Sequence, residues 1–241
     1  MSNQNKHITI IHPYYRNSEM FKHQQEEWAK FPKEILAKTS FIVVDDCSPS
    51  EDSVITSYLG IEILDLSIYR LQKKIKWNWL CCRNLAAYQA QAGWLLLTDM
   101  DHRVPLDSLQ KLHDREFDER CFYTPSRVDA PNLTPYKDHP NSYFMSKELY
   151  WKIGGYDESF SGNYGTDGMY RKRCLEVAKH VRLDDIPLVR YPREVIADAS
   201  TTDFARKEGR DNDAKKRIIN QKIESGDFSI KVIQTPWERL V

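Results

Sequence analysis

The chain has no surplus of either charge. Its 35 lysines and arginines are matched by 35 aspartates and glutamates, a formal net charge of zero at pH 7. A balanced molecule projects no global field toward a phosphate backbone or an anionic bilayer, so composition points to neither partner. Long apolar runs are missing too. The aliphatic stretches fall well short of the roughly 20 residues of a membrane-spanning helix. The opening MSNQNKHITI lacks the basic-then-apolar pattern of a secretory leader, so a soluble, cytoplasmic protein with no membrane span is expected. The five cysteines contain no CxxC, and their odd number suits neither a zinc ribbon nor a disulfide framework. They read as reduced thiols, mostly packing. No internal repeat or low-complexity linker breaks the 241 residues, a length that buries a sizeable core unaided. The expected organisation is one domain over residues 1–195, with an extension over 196–241 packing on it.

What is present is a succession of short apolar runs separated by helical segments. HITII (7–11), SFIVVDD (40–46), IEILDL (61–66) and WLLLTD (94–99) read as strands. Between them, Ser18 to Lys30 and the Ala-rich stretch from Asn78 to Ala92 read as helices, the first broken by Pro32 and the second punctuated by Gly93. Strands alternating with helices predict an α/β fold with a mostly parallel sheet covered on both faces. Further on, a helix is expected near 106–115, strands at CFYTP (121–125) and SYFMS (142–146), and a helix at KELYWKI (147–153). A Gly/Asp-rich loop, GGYDESFSGNYG, precedes another helix from about Thr166. The last quarter is charged and irregular apart from DNDAKKRIINQKI, which has helical spacing. The basic stretches RLQKKIK (70–76) and DAKKR (213–217) are expected to be solvated faces.

Two of the expected strands end in acids: Asp45-Asp46, and Asp99-x-Asp101. Ligands of open parallel sheets bind outside the carboxyl ends of the strands, so both pairs belong on one binding edge. Clustered carboxylates repel, and a divalent cation, arginines or donors on a ligand must compensate. Hard oxygen donors suit Mg2+ or Mn2+, which often hold substrate phosphates. Capping of the following turns is the plainer role, and it suits Asp45 and Asp46, where Ser48 and Pro49 follow, better than it suits Asp99 and Asp101.

Four stretches, taken in order, resemble the GT-A class of nucleotide-sugar glycosyltransferases, in particular family 2 and relatives with a galactosyltransferase-like C-terminal segment. HITIIHPYYRN resembles the opening strand and nucleotide-binding turn, and FIVVDDCSPSED the acidic element after the second strand. CCRNLAAYQAQAGWLLLTDMD resembles the Arg-Asn helix leading to the DxD strand end. IGGYDESFSGNYGTDGMYRKR resembles the GGxDE loop and its following Glu-Asp, with Thr166-Asp167 in that place. The likeness covers roughly residues 7–175 and implies a GT-A, Rossmann-like sheet flanked by helices, with a charged helical C-terminal extension.

The resemblance implies transfer of a sugar from a nucleoside-diphosphate sugar, a UDP-sugar foremost, to an acceptor hydroxyl, with Mn2+ or Mg2+ as cofactor. Pro13 and Tyr14 would lie in the nucleotide turn. Asp45 or Asp46 would accept from the base, and Arg83 would position the nucleotide or its phosphates. Asp101 would bind the metal bridging the diphosphate, and Asp99 the ribose or the metal through water. Asp167 would be the base on the acceptor hydroxyl, giving inversion. His139, Asn141, Gly155 and Asp157 would contact donor sugar or acceptor. The acceptor would be a glycan or another hydroxyl compound; a modified nucleic-acid base is less favoured. Trp77 and Trp79 would cover the nucleotide or a sugar, or simply pack. His102, which follows the acidic motif, would be an additional ligand or, as is more common for a lone histidine there, a surface residue.

Two departures stand out. The family's third metal ligand is often a histidine, and VIADASTTDFARK (195–207) has none, leaving Asp198 or Asp203 to substitute, or waters and phosphate oxygens. Thr166 also removes a carboxylate often used on the acceptor. Two other readings compete: a phosphatase of the haloacid dehalogenase type with Asp99 as nucleophile beside Asp101, and an inactive nucleotide-sugar or glycan-binding module.

Overall fold

A computed structural model describes residues 6–163, 165–201 and 213–241. Apolar runs with no polar alternation form strands only if both faces are covered. The first such strand, β1 (Ile8–Tyr14), continues past the expected stop through His12 and Pro13. It pairs in parallel with β2 (Thr39–Asp45) on one side and β4 (Trp94–Leu97) on the other. Successive residues of these strands feed two different cores. Phe41, Val43, Trp94 and Leu96 join one cluster, while Ile42, Val44, Leu95 and Leu97 join the other.

The helices close both faces. Against the first core lie α1 (Ser18–Trp28), α2 (Lys33–Leu36) and α4 (Leu106–Asp114). The second core is covered by α3 (Trp79–Gln89), α5 (Lys147–Lys152) and α6 (Asp167–Val177). Trp28, fully buried, stacks on Phe41 at 4.3 Å, which ties α1 to β2.

The third strand differs from expectation. The segment 61–65 is a turn with Ile63 exposed, and β3 is Leu66–Leu71, joined in parallel to β2 with Leu66 opposite Phe41. The alternating SIYRL, which buries Ile68, Tyr69 and Leu71, outcompetes the similar but more acidic IEILDL. Beyond β4 the sheet changes character. β8 (Tyr143–Ser146) runs antiparallel to β4 and to β6 (Cys121–Asp129). A twelve-residue strand, β9 (Lys179–Arg190), lies parallel to β6, with β5 (His102–Arg103) antiparallel on its far side and β7 (Thr134–Tyr136) on β6.

The C-terminal stretch returns to the start. Helix α7 (Ala214–Ser225) ends at Gly226 in the left-handed conformation, and β10 (Trp237–Arg239) adds antiparallel to β3. The sheet order is therefore β10-β3-β2-β1-β4-β8-β6-β9-β5. No helix among the described residues is long and apolar enough to cross a membrane.

Candidate active site

A cleft of about 450 Å3 opens where β1, β2 and β4 end, the edge at which a parallel sheet presents ligand-binding turns. The turns there are tight. Arg16, Cys47 and Trp77 all adopt positive φ without being glycine, which costs of order 1 kcal/mol each and persists where surrounding structure over-determines the backbone. Asp46, Asp99, Asp101 and Asp167 all line this cleft, together with Pro13, Tyr14, His139 and Asn141. The chain brings these together from segments far apart in sequence.

Asp45 and Asp46 have parted ways. Asp45 is fully buried, accepts from the amides of Ser48 (2.8 Å) and Val54 (3.1 Å), and is absent from the cleft wall. It anchors the turn after β2. Asp46 accepts from the Asn78 amide at 2.9 Å with one oxygen, while the other, Oδ1, is buried without a partner. Burial pushes its carboxyl up to about 8, against the pull of Lys74 and the Asn78 amide. A buried, unpartnered acceptor atom on a cleft wall invites a donor from a ligand. Beside it Lys74 Nζ sits 3.6 Å from the centre of the Tyr15 ring.

The two acids of the DMD turn are also unequal. Arg83, fully buried on α3, donates to Asp99 Oδ1 at 2.6 Å, to the Asn141 carbonyl at 2.5 Å and to the Tyr156 hydroxyl at 3.1 Å. His139 Nε2 lies 3.3 Å from Asp99 Oδ2. Burial would raise the Asp99 carboxyl, but Arg83 and His139 hold it far below the usual carboxylate range. Arg83 itself does not line the cleft, so it orients Asp99 rather than reaching a nucleotide. Asp101 accepts from His102 Nδ1 at 2.7 Å through Oδ1 only. Its second oxygen has no partner among the described residues.

His102, expected at the surface, is 1% exposed. Buried His12 donates from Nδ1 to the Asp99 carbonyl at 3.2 Å, and burial lowers it to about 4, which keeps it neutral under the turn.

Asp167 opens α6, with Thr166 before it. Burial raises its carboxyl, and the charge of Asp99 adds to the rise while Arg83 and His139 oppose it. Asn141, 4% exposed, accepts from the Tyr156 hydroxyl at 2.7 Å, so its side chain is held rigidly on the cleft wall.

Gly155 and Asp157 lie elsewhere. Gly155 has φ +65°, and a Cβ there would sit 2.8 Å from Asn84 Oδ1, the atom that accepts from Tyr150 Oη (2.6 Å) and the Tyr156 amide (2.8 Å). Asp157 pairs with Lys222 of α7 at 3.2 Å and accepts from the Lys231 amide. Its neighbour Glu158 accepts from Asn84 Nδ2 and from the amides of Ile233 and Gln234. The GGYDE loop therefore fastens the C-terminal strap to α3, which is why neither residue reaches the cleft.

Several cleft residues had no signal in the sequence. Lys74 and Lys76, read as a solvated face, line it beside Trp77 and Trp79, which the resemblance had already offered to the nucleotide or a sugar. So do Arg127 on β6, Tyr136 on β7 and Arg190 on β9, with both guanidinium groups within 4.8 Å of the Tyr136 ring centre. Each arginine was hidden in a strand whose partner could not be inferred.

The donor set suits a divalent ion only in part. Among the described residues no three carboxylate, imidazole or thiol groups converge to cage one. Asp198 is spent on α1, accepting from the amides of Glu19 (2.6 Å) and Met20 (2.9 Å), and Asp203 lies outside the described residues. A small hard cation that keeps one or two carboxylates and takes phosphate oxygens and water for the rest fits the free oxygen of Asp101. The phosphatase reading fits less well, because both oxygens of Asp99 face cationic or hydrogen-bonding partners and neither is free to attack.

No protein-family model matches the chain, and no curated protein sequence matches it. Solved structures do. S. aureus TarS 1–349 in complex with UDP-GlcNAc superposes with a TM-score of 0.63 at 15% identity over 78% of this chain. GalNAc-T7 with UDP, GalNAc and Mn2+ gives 0.62 at 12% identity over 79%. The mannosyltransferase PcManGT from Pyrobaculum calidifontis, with GDP-Man and Mn2+, gives 0.57 at 14% identity over 89%. The present chain spans 59%, 45% and 68% of those three chains in turn. Identities this low speak for the architecture: the chain has the GT-A fold, with its central sheet between two layers of helices.

Proposed function

We propose that the protein is a metal-dependent glycosyltransferase that moves a sugar from a nucleoside-diphosphate sugar, a UDP-sugar foremost, to an acceptor hydroxyl with inversion. The observation that carries this reading is the convergence of Asp46, Asp101 and Asp167 in one cleft at the carboxyl ends of the strands of a GT-A fold. The neighbours crystallised with UDP, UDP-GlcNAc or GDP-Man support the donor class, and two of them carry Mn2+.

The geometry supports a role for each residue. Asp46 Oδ1 accepts an N–H from the edge of the base, and Pro13, Tyr15 and Lys74 bound that end of the cleft. Asp99, oriented from below by Arg83, faces the ribose. Asp101 offers its free oxygen to the divalent ion. A divalent ion held there, Mn2+ or Mg2+, would supply positive charge to offset the negative charge building on the departing diphosphate. Asp167 takes the proton of the acceptor hydroxyl as the new glycosidic bond forms. A carboxyl raised by burial suits a base, since its conjugate acid must hold the proton through the step. His139 and Asn141 line the same cleft as Asp99 and Asp167 and would meet sugar hydroxyls there.

The test is a screen of nucleotide sugars with and without Mn2+, read as released nucleoside diphosphate, alongside calorimetry of UDP and GDP binding. Wild-type protein should bind one of them in a Mn2+-dependent manner, and Asp101→Ala should lose that dependence. Undiminished Mn2+-dependent binding in Asp101→Ala would refute the metal assignment, and a chain that binds neither nucleotide is not a glycosyltransferase of this class.

A further inference from the structure

Asp101 is not held by the DMD turn alone. Behind it runs a buried pair of side chains from two strands, His102 on β5 and Arg127 on β6. His102 Nδ1 lies 2.7 Å from Asp101 Oδ1, and His102 Nε2 lies 3.1 Å from Arg127 Nη1 on β6. His102 and Arg127 are 1% and 6% exposed, so water cannot substitute for either contact. The direction of each bond follows from chemistry. A guanidinium has donors and no acceptor. Arg127 therefore donates to Nε2, which must carry a lone pair, and the ring proton must sit on Nδ1. Nδ1–H can then only donate to the carboxylate.

Arg127 is fixed in turn. Its Nε donates to the Lys137 carbonyl at 2.7 Å, and its guanidinium lies 4.7 Å from the centre of the Tyr136 ring. Arg190 lies 4.8 Å from the same ring centre, and Asp129 holds it through both carboxylate oxygens at 3.0 Å. The backbone closes the arrangement, since the Tyr191 amide donates to the Asp101 carbonyl at 2.8 Å.

We infer that Arg127 and His102 are positioning residues for the metal carboxylate: Arg127 fixes the ring and tautomer of His102, so that Nδ1–H occupies Asp101 Oδ1 and turns the other oxygen to the cleft. The inference rests on the proposed metal-dependent transfer. It adds that the site's metal affinity is set partly by an arginine on β6, a strand remote from the DMD turn in sequence. An outer partner of this kind is worth about 10-fold in metal affinity when lost.

The test uses Mn2+ and UDP on the full chain. Free Mn2+ is followed by electron paramagnetic resonance, and the ring nitrogens of His102 by long-range 15N–1H NMR. Wild type should show Nδ1–H at His102. Arg127→Met and His102→Gln should weaken Mn2+ binding in the presence of UDP by about tenfold. His102→Asn keeps an amide donor near the Nδ1 position and should bind Mn2+ closer to wild type. A merely structural role would lower both His102 variants alike, in step with their thermal stability. Equal Mn2+ affinity in Asn and Gln variants, unchanged affinity in Arg127→Met, or an Nε2–H ring in wild type would each overturn the inference. If wild type binds Mn2+ and the variants match it, only the positioning role fails. If wild type with UDP or GDP binds no Mn2+, the functional reading fails and takes this inference with it.

Discussion

Replacing Arg83 by methionine tests how the cleft is built. The guanidinium is fully buried and makes three hydrogen bonds, to Asp99, the Asn141 carbonyl and the Tyr156 hydroxyl. Methionine fills much of the space but donates nothing. Breaking a buried ion pair from one side costs about 3–5 kcal/mol. Asp99 has 41% of its side chain open to the cleft and can recover water, which places the cost near the lower end. The Asn141 carbonyl cannot recover in this way, and an orphaned buried acceptor is worth about 1–3 kcal/mol by itself. A loss of about 3 kcal/mol should therefore appear in urea unfolding, with Tm falling by about 6–12 °C for a chain of this size. Arg83→Lys should lose less, because an ammonium reaches one or two of the three acceptors.

The pH dependence is distinctive. The Asp99 carboxyl is depressed in the fold, so its stabilisation is complete above the unfolded value of about 4 and fades as pH falls below it. Wild type should lose this part on acidification and Arg83→Met should not. A loss under 1 kcal/mol, or parallel acid limbs in the two proteins, would refute the ion-pair account.

Three further outcomes follow from the same geometry. Asp46, with a carboxyl near 8, must be ionised to accept an N–H from the base, so UDP affinity should rise with pH up to about 8 and then level; calorimetry across pH 6–9 on Asp46→Asn should show weak, flat binding, and a rising curve there would exclude Asp46 as the cause. Asp167→Asn should bind donor normally while turnover falls by about 100-fold or more, as expected for loss of a general base; near-normal turnover would remove Asp167 from that role. Glu158→Gln places an amide N–H against one of the amides of Ile233 and Gln234, and should cost about 2 kcal/mol. Hydrogen exchange at those two amides should quicken ahead of the core, and uniform protection would show that the strap does not depend on Glu158.

Within the parallel half of the sheet, β1, β2 and β4 were legible because they are buried on both faces, while β3 was placed several residues too early. FIVV and WLLL carry no polar alternation, and a run of that kind has few other places to go. The antiparallel half was harder. KHVRLDDIPLVR reads as a charged segment, yet it is the longest strand, paired with β6 through a register shift at Pro125/Ser126. Its charges face outward as ion pairs such as Arg182 with Asp138, and nothing local announces a partner on β6. With β9 unseen, Arg127 and Arg190 could not be placed in the cleft. Sequence likeness also assigned Gly155 and Asp157 to substrate, because it registers that a motif recurs without saying whether it holds a ligand or a strap. Here the Asp157 carboxylate is occupied by Lys222 and backbone amides.

The acids raise the same problem in sharper form. DD and DxD are symmetric as strings, and in each the structure separates a carboxylate with both oxygens engaged from one with an oxygen to spare. Asp45 spends both oxygens on the amides of its own turn, and Asp99 spends both on Arg83 and His139. Among the described residues, Asp46 and Asp101 each keep one oxygen without a partner, and both line the cleft. Carboxylates this close could not all stay ionised and unpaired. Fixing one of each pair by buried donors removes part of the repulsion and sets the other at a defined point on the wall. In the DMD turn that division depends on donors from distant segments, Arg83 and His139 for Asp99 and the Arg127–His102 chain for Asp101. The resemblance assigns Asp101 to the metal and Asp99 to the ribose, and these distant donors are the physical reason the two can differ, which no strand-end motif carries by itself.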